Sequence, residues 1–238
     1  MKVDLPNGLR PMSDRLNAPD NQHPLDRQEI VQKFAELKLL DNYADVIARS
    51  LRLPAERGYL APVCELHAED QPTIALLTAI RAGVTTFPSQ FAVTPERTRK
   101  WLRTLLLDVP DRLLFFVLNR AGHIVGHAGF THCDNDAGRM EVDNVVRAKA
   151  DIEPGLMSAA LQRLCEWAEE TFKPREIYLR VLEDNTHAIR FYERLGFRGY
   201  ERQPLRRVES ADEVNFVPRP ANDNDPPDRM YLVMRREK

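Results

Sequence analysis

Three groups of side chains in this sequence have the types and spacing for chemistry. Glu141 and Asp143 stand two residues apart in the alternating run Arg139 to Arg147, which predicts a strand with both carboxylates on one face. A carboxylate can take a proton from an alkylammonium of pKa ~10, directly or through a water. Tyr192 follows Asn185 by two helical turns, roughly 10 Å along one side of a helix. Its phenol, with an ordinary pKa of ~10, is a proton donor at neutral pH. Pro154-Gly155-Leu156-Met157-Ser158 opens the longest helical pattern. There the free N–H groups, the positive end of the helix dipole and the Ser158 hydroxyl make an anion site. Arg147 and Lys149 lie close by and add positive charge. Each group also has a plain reading: a solvent-facing strand, a core tyrosine, an ordinary helix start.

The elements around these groups follow from periodicity. Asn185 suits a helix N-cap, and Ala188, Ile189, Tyr192 and Leu195 recur on one helical face. Gly196 ends that helix, since glycine takes the left-handed conformation without steric cost. Strands are expected over 60–66, 112–118, 123–130, 139–147, 176–182, 199–202 and 230–234. Helices are expected from Ala68-Glu69-Asp70 onward, from Thr94 as N-cap with Pro95 next, and over 155–172. The helix after Thr94 is expected to turn Trp101, Leu102 and Leu105 inward. Residues 1–25 read as an irregular lead, 87–93 as a loop, and 203–228, with no strand assigned, as containing the exposed polar loop Ala221 to Pro227. Two apolar stripes, Ile30, Val31, Phe34, Leu37 and then Tyr43, Val46, Ile47, Leu51, predict a helical hairpin over 26–53.

Bulk properties narrow the classes. The chain has 238 residues, enough to bury a full core in one large domain or one domain with an extension. With 43% hydrophobic and 29% charged residues it is not globally disordered. A net charge of −2 gives no general attraction to nucleic acid or to an acidic membrane. No apolar run approaches the ~20 residues that span a bilayer, and the N-terminus lacks the apolar core of a signal peptide. Cys64, Cys133 and Cys165 are odd in number and widely spaced, which fits reduced thiols in a cytoplasmic protein. His123, His127, His132 and Cys133 match neither a zinc ribbon nor a helical histidine pair, so no metal site is expected.

The string Asn185-Thr186-His187-Ala188-Ile189-Arg190-Phe191-Tyr192-Glu193-Arg194-Leu195-Gly196-Phe197 resembles the C-terminal motif of the GNAT acetyltransferase superfamily, N-x-x-A-x-x-F-Y-E-x-x-G-F, position for position. The resemblance covers about residues 59–236. It implies an α/β (α+β) fold: a mostly antiparallel sheet, splayed in the middle and flanked by helices, preceded here by an N-terminal helical extension over 1–58. It also implies an enzyme that moves an acetyl group from acetyl-CoA to a primary amine by direct attack in a ternary complex. Glu141 then occupies the place of a glutamate facing the acceptor, with Asp143 beside it and His67 and His127 as weaker rivals for the base. Tyr192 would protonate the leaving thiolate, and Asn185 would contact the pantetheine arm. Backbone N–H groups around Val145, Val146 and Arg147, where the family's strand bulges, would serve the developing oxyanion. Gly155, Leu156, Met157 and Ser158 would cradle the pyrophosphate. In that cradle the family carries Gln or Arg, then two residues, Gly, any residue, and Gly or Ala. Here Ile152 and Met157 replace the polar lead and the small third residue.

The region Phe87 to Phe91 and Thr94 to Trp101 is similar to that of family members acting on nucleotide-linked amino sugars, which makes such a sugar or another small amine the expected acceptor. An alternative from the irregular cradle is an acyl-CoA-binding sensor or scaffold with little catalysis, docking partners through the N-terminal helices. Those helices need cover from the main domain or a second subunit, so a homodimer is one expectation.

Overall fold

The computed structural model describes residues 26–84, 87–148, 153–220, 222–223 and 225–237. The expectations for residues 1–25, and those on Lys149 and Ile152, lie outside the described residues. Ten strands form one sheet in the order β1-β2-β4-β5-β6-β7-β10-β8-β9-β3. They are β1 (Leu51–Arg52), β2 (Gly58–Pro62), β3 (Ser89–Phe91), β4 (Leu113–Asn119), β5 (Ile124–Thr131), β6 (Arg139–Arg147), β7 (Glu176–Leu182), β8 (Phe197–Glu209), β9 (Glu213–Pro218) and β10 (Arg229–Arg236). Neighbours run antiparallel except β6 and β7, whose parallel register extends only from Arg139↔Glu176 to Val142↔Leu179. Beyond that rung β6 continues against β5 and β7 against β10, so the sheet splays at its centre.

Both faces of the sheet are covered, as the unbroken apolar run of β4 requires. Leu113, Phe115 and Val117 point into the larger core, with α1 (Arg27–Lys38) and α6 (Leu156–Phe172). Leu114 and Phe116 point into a second core under α3 (Glu65–Glu69), α4 (Gln71–Ala82) and α5 (Pro95–Leu102). α7 (Thr186–Arg194) rests its Ala188, Ile189 and Tyr192 on the larger core and ends at Gly196, φ +84°. Thr94 caps α5 by accepting from Arg97 N, with Pro95 in the first turn.

Several expectations are corrected. The second helix, α2 (Tyr43–Ala48), stops early, because Leu51 pairs with Leu60 in a β1–β2 hairpin instead of continuing the stripe. The strand expected to Leu66 ends at Pro62, and Cys64 then starts α3. Leu105 is exposed rather than inward, because α5 passes into a wider π-helical turn over Arg103–Leu107 that rotates the following side chains. The loop at 87–93 contains β3, and 203–228 is not mainly loop. β8 runs on to Glu209 and returns as β9, which pairs with β3. The charged residues and Pro204 hide these strands from a hydrophobic pattern, yet a hairpin ladder needs only backbone groups.

The line drawn at residue 58 falls inside the β1–β2 hairpin, and α1 buries Ile30, Phe34 and Leu37 in the larger core. Phe34 meets Phe172 of α6 edge-to-face at 5.8 Å. Phe34→Ala is therefore expected to cost about 3–5 kcal/mol in one cooperative urea transition of the whole domain. A separate early transition with the main one unmoved would contradict this packing.

Candidate active site

The splay opens onto a cleft of about 790 Å³. Its walls bring together Asp143 and Val145 from β6, Asn185, Ala188 and Tyr192 from α7, and Trp101 from α5. The strand and the helix that carry the expected acid and base thus meet across the parting of β6 and β7. β3 and β9 add Phe91 and Asn215 to the far wall.

β6 bulges where the splay begins. His127 pairs with Val146 but Gly129 with Asp143, so β6 carries an extra residue, and Asn144 takes φ +53°. The Asn144 carbonyl accepts from His127 Nδ1 at 2.6 Å, which fixes the bulge from below. Burial pushes the His127 pKa down to about 4, so the ring is neutral and occupied with structure. Past the bulge, Ala148 N–H donates to Val125 O. Strand alternation then turns the Arg147 N–H to the opposite edge, toward the gap.

The two carboxylates of β6 differ sharply. Glu141 is buried and fully engaged: Arg180 Nε and Nη2 donate to it at 2.7 and 2.9 Å, His132 Nδ1 at 2.8 Å and Tyr178 hydroxyl at 3.2 Å. Burial pushes its pKa up, but the hydrogen bonds from His132 and Arg180 outweigh this and hold it below the ordinary range. Asp143 is 36% exposed along the cleft, takes one hydrogen bond from Asn144 Nδ2 at 2.7 Å, and has the Arg112 guanidinium 4.0 Å away. Burial and the Glu141 charge raise its pKa. Asp143 is thus the carboxylate with acceptor capacity to spare. His67 lies outside the cleft, accepting from Cys64 N between the rings of Tyr43 and Phe116.

Tyr192 lines the cleft and its hydroxyl makes no hydrogen bond with any described residue. Burial, then the Asp143 charge, pushes its pKa up, so it holds its proton at neutral pH. Asn185 caps α7 by accepting from Ala188 N at 3.1 Å, which leaves its amide N–H groups free for the cleft.

At the start of α6, Gly155 has φ +79°, and Leu156 N–H is used by Glu153 O. The first-turn N–H groups of Met157 and Ser158 remain without helical acceptors. Leu156 and Met157 are buried in the larger core, and Met157 fills the space that Gly126 leaves in β5. The large residue at this position thus points away from the cradle. The positive charge here comes from Arg57, whose Nε pairs with Glu153 at 2.8 Å and whose Nη2 donates to Pro154 O. A Cβ on residue 155 would stand 3.4 Å from that guanidinium. Arg147, the candidate from sequence, sits exposed at the end of β6. Gly155, Leu156, Met157, Ser158, Val146 and Arg147 do not line the cleft that holds Tyr192 and Asp143.

Sequence reasoning missed Arg57, Arg180 and Arg81. Arg180 had a weak signal, because the regular alternation of Ile177, Leu179 and Val181 puts Tyr178 and Arg180 together on the opposite face of β7. Arg81, at the end of α4, is 6% exposed, with its guanidinium 3.8 Å over the Trp101 ring. Burial lowers its pKa to about 10, opposed by Asp143, so it stays charged at neutral pH. Arg81 Nε and His127 Nε2 are buried without a hydrogen-bond partner among the described residues.

A family model, the acetyltransferase (GNAT) domain, matches residues 60–198, more than half of the chain. The chain belongs to the GNAT acetyltransferase family. A probable spermine N(1)-acetyltransferase of Bacillus subtilis subsp. natto is 38% identical over 65 residues, 27% of this chain and 43% of that protein. The match thus spans less than half the length of that relative. Among solved structures, a probable GNAT-family acetyltransferase from Chromobacterium violaceum aligns with TM-score 0.57 at 20% identity, over 78% of this chain and 84% of that one. Spermidine N-acetyltransferase from Vibrio cholerae, in complex with CoA and spermine, aligns with TM-score 0.54 at 11% identity, over 70% and 90%. Identities this low show a shared fold. No helix among the described residues is long and apolar enough to cross a membrane.

The His132–Glu141 contact gives a pH prediction. The Glu141 hydrogen bond, opposed by burial, raises the His132 pKa above its ordinary 6.5. Stability from this histidine is present below pH ~6.5 and is lost as pH rises through the raised folded value. The Glu141 share is present above the ordinary 4.5 and is lost as pH falls through its lowered folded value. NMR titration should find the His132 midpoint above 6.5, and lower in Glu141→Gln; an unmoved midpoint would refute the contact.

Proposed function

We propose that this chain transfers an acetyl group from acetyl-CoA to the primary amine of a small molecule bound in the splay cleft. The observation that carries this reading is that one cleft holds both Asp143, a carboxylate with free acceptor capacity, and Tyr192, a protonated phenol without a hydrogen-bond partner among the described residues. Asp143 takes the proton from the incoming ammonium, directly or through a water. Glu141 is a positioning residue: locked by Arg180 and His132, it holds the β6–β7 junction and raises the Asp143 pKa.

Bound acetyl-CoA supplies the activated acetyl carbon and a thiol leaving group. With acetyl-CoA bound, the backbone N–H of Arg147, turned to the gap side of β6 in the stretch Val145, Val146, Arg147, would serve the carbonyl oxygen as its charge develops. Tyr192 gives its proton to the departing sulfur. Asn185 orients the pantetheine arm from the mouth of α7. The N–H groups of Met157 and Ser158 bind the diphosphate at the start of α6, and Arg57 supplies the positive charge that a lead Gln or Arg gives other family members. Gly155 fits this role because its φ of +79° is a left-handed conformation that residues with a side chain rarely adopt.

Two acceptor types belong on the first panel. Phe87, Phe91, Arg97 and Lys100 all line the cleft and suit a nucleotide-linked amino sugar; the relatives' names add spermine and spermidine. Release of free CoA with UDP- and dTDP-amino sugars, polyamines and simple amines tests the reading; no turnover above background would sink it. Tyr192→Phe should lower kcat strongly, with little change in acetyl-CoA affinity by calorimetry. Asp143→Asn should cost about 10²–10⁴-fold in kcat/KM, whereas Glu141→Asp should cost less. Equal rates for wild type and Asp143→Asn would remove the base assignment. Arg57→Ala should weaken CoA binding by about tenfold while leaving the KM of the amine acceptor unchanged; unchanged CoA affinity would return the pyrophosphate to the helix alone.

A further inference from the structure

The charges of the cleft do not suit a bare polycation. Arg81 is buried and charged; its Nε has no hydrogen-bond partner and it makes no ion pair within 4 Å among the described residues, and the acidic charge that acts on it, Asp143, lies beyond contact. Trp101 covers one face of its guanidinium and Phe87 lies 5.9 Å from it, and all three line the cleft. Lys100 lines the same wall and forms no ion pair among the described residues. Of the acidic groups on the cleft, Glu141 is spent on Arg180 and His132 and Glu213 accepts from Asn215 at 2.8 Å, which leaves Asp143 with spare capacity, and Asp143 already has the Arg112 guanidinium 4.0 Å away. The other cations are spoken for as well: Arg112 donates to Thr131 and to Leu105 O, and Arg97 pairs with Asp212.

A buried guanidinium without an anion is among the costliest groups a fold can hold. Stacking on Trp101 orients the planar fork, and its N–H donors match the two oxygens of a carboxylate or phosphate. We infer that Arg81 is the acceptor-recognition residue: the amine substrate carries an oxyanionic group, carboxylate or phosphate, that docks on Arg81 against Trp101 while its amino group reaches Asp143. This rests on the cleft being the acceptor site, and it narrows the acceptor to a zwitterionic amine. The same geometry works against spermine and spermidine, which carry no anion and bring further positive charge to an unpaired cation.

The test measures binding, so it stands apart from turnover. The full-length protein saturated with CoA is titrated by calorimetry with O-phosphoethanolamine, β-alanine, ethanolamine and spermine. At least one of the two anionic amines should bind tenfold or more tighter than ethanolamine and spermine, and their order tells phosphate from carboxylate. Arg81→Met should erase that preference and leave CoA affinity unchanged. It should also raise Tm by a few degrees, because a buried unpaired charge is gone. A purely structural arginine would lower Tm instead. Equal binding of the four amines to the wild type, tighter binding of spermine, or a preference that survives Arg81→Met would each overturn the inference. Should Arg81→Met lose CoA binding, the wild-type ranking decides alone. A chain that binds the anionic amine but acetylates nothing would refute the catalytic reading and keep this one.

Discussion

The ion pair between Glu141 and Arg180 stands at the fork of the sheet, and the site depends on it. Glu141 sits opposite Tyr178, one rung before the last parallel contact of β6 with β7, and Arg180 lies one residue beyond that contact. Each strand is thus tied to the other by a buried, two-pronged bond at the point where backbone pairing stops. Breaking a buried pair of this kind by removing one partner costs about 3–5 kcal/mol. His132 and the Tyr178 hydroxyl occupy what remains of the carboxylate. The result is a rigid wedge from which Asp143 and the bulge at Asn144 project into the gap.

The cleft is made by withholding sheet hydrogen bonds rather than by adding a loop. After Val142 and Leu179, β6 is supported only by β5 and β7 only by β10. The freed backbone edge can then address a ligand. His127 holds the bulge in shape through its hydrogen bond to the Asn144 carbonyl, which accounts for a neutral histidine buried at the centre of the sheet. Beside it, Arg81 retains its charge in the same dry corner. Charge is concentrated around this site, while the two cores on either side of the sheet are built mainly of apolar side chains.

Much of the architecture was legible along the chain. The Asn185–Phe197 string, with its cap, apolar face and glycine stop, defines α7 and the family. The alternation of Arg139–Arg147 puts Glu141 and Asp143 on a strand, and the run from Leu156 gives the long helix. These features are local: periodicity, caps and turn residues act within a few positions. What failed to read was long-range or charged. β8, β9 and β3 carry too many polar residues for a hydrophobic pattern, and β3 pairs with β9 from more than a hundred residues away. Leu105 turned outward because a single wide helical turn resets the face, and composition does not mark that turn.

The sequence by itself determined which side chains were available for the chemistry: two carboxylates on one strand, a tyrosine two turns past an asparagine, and a glycine at a helix start. Tertiary structure decided which of them are free. Glu141 and Asp143 look alike in the chain, yet only one meets Arg180 and His132, three-dimensional partners from other strands and turns. Met157 looks like a damaged cradle in sequence, and becomes a core residue once Gly126 lies beneath it. Nothing in the chain singles out Arg57 or Arg81, until the hairpin sets one over α6 and the α4–α5 packing buries the other on Trp101. Side-chain chemistry is a property of the residue, but its protonation, partners and exposure belong to the surroundings, and those are assembled only when distant segments meet.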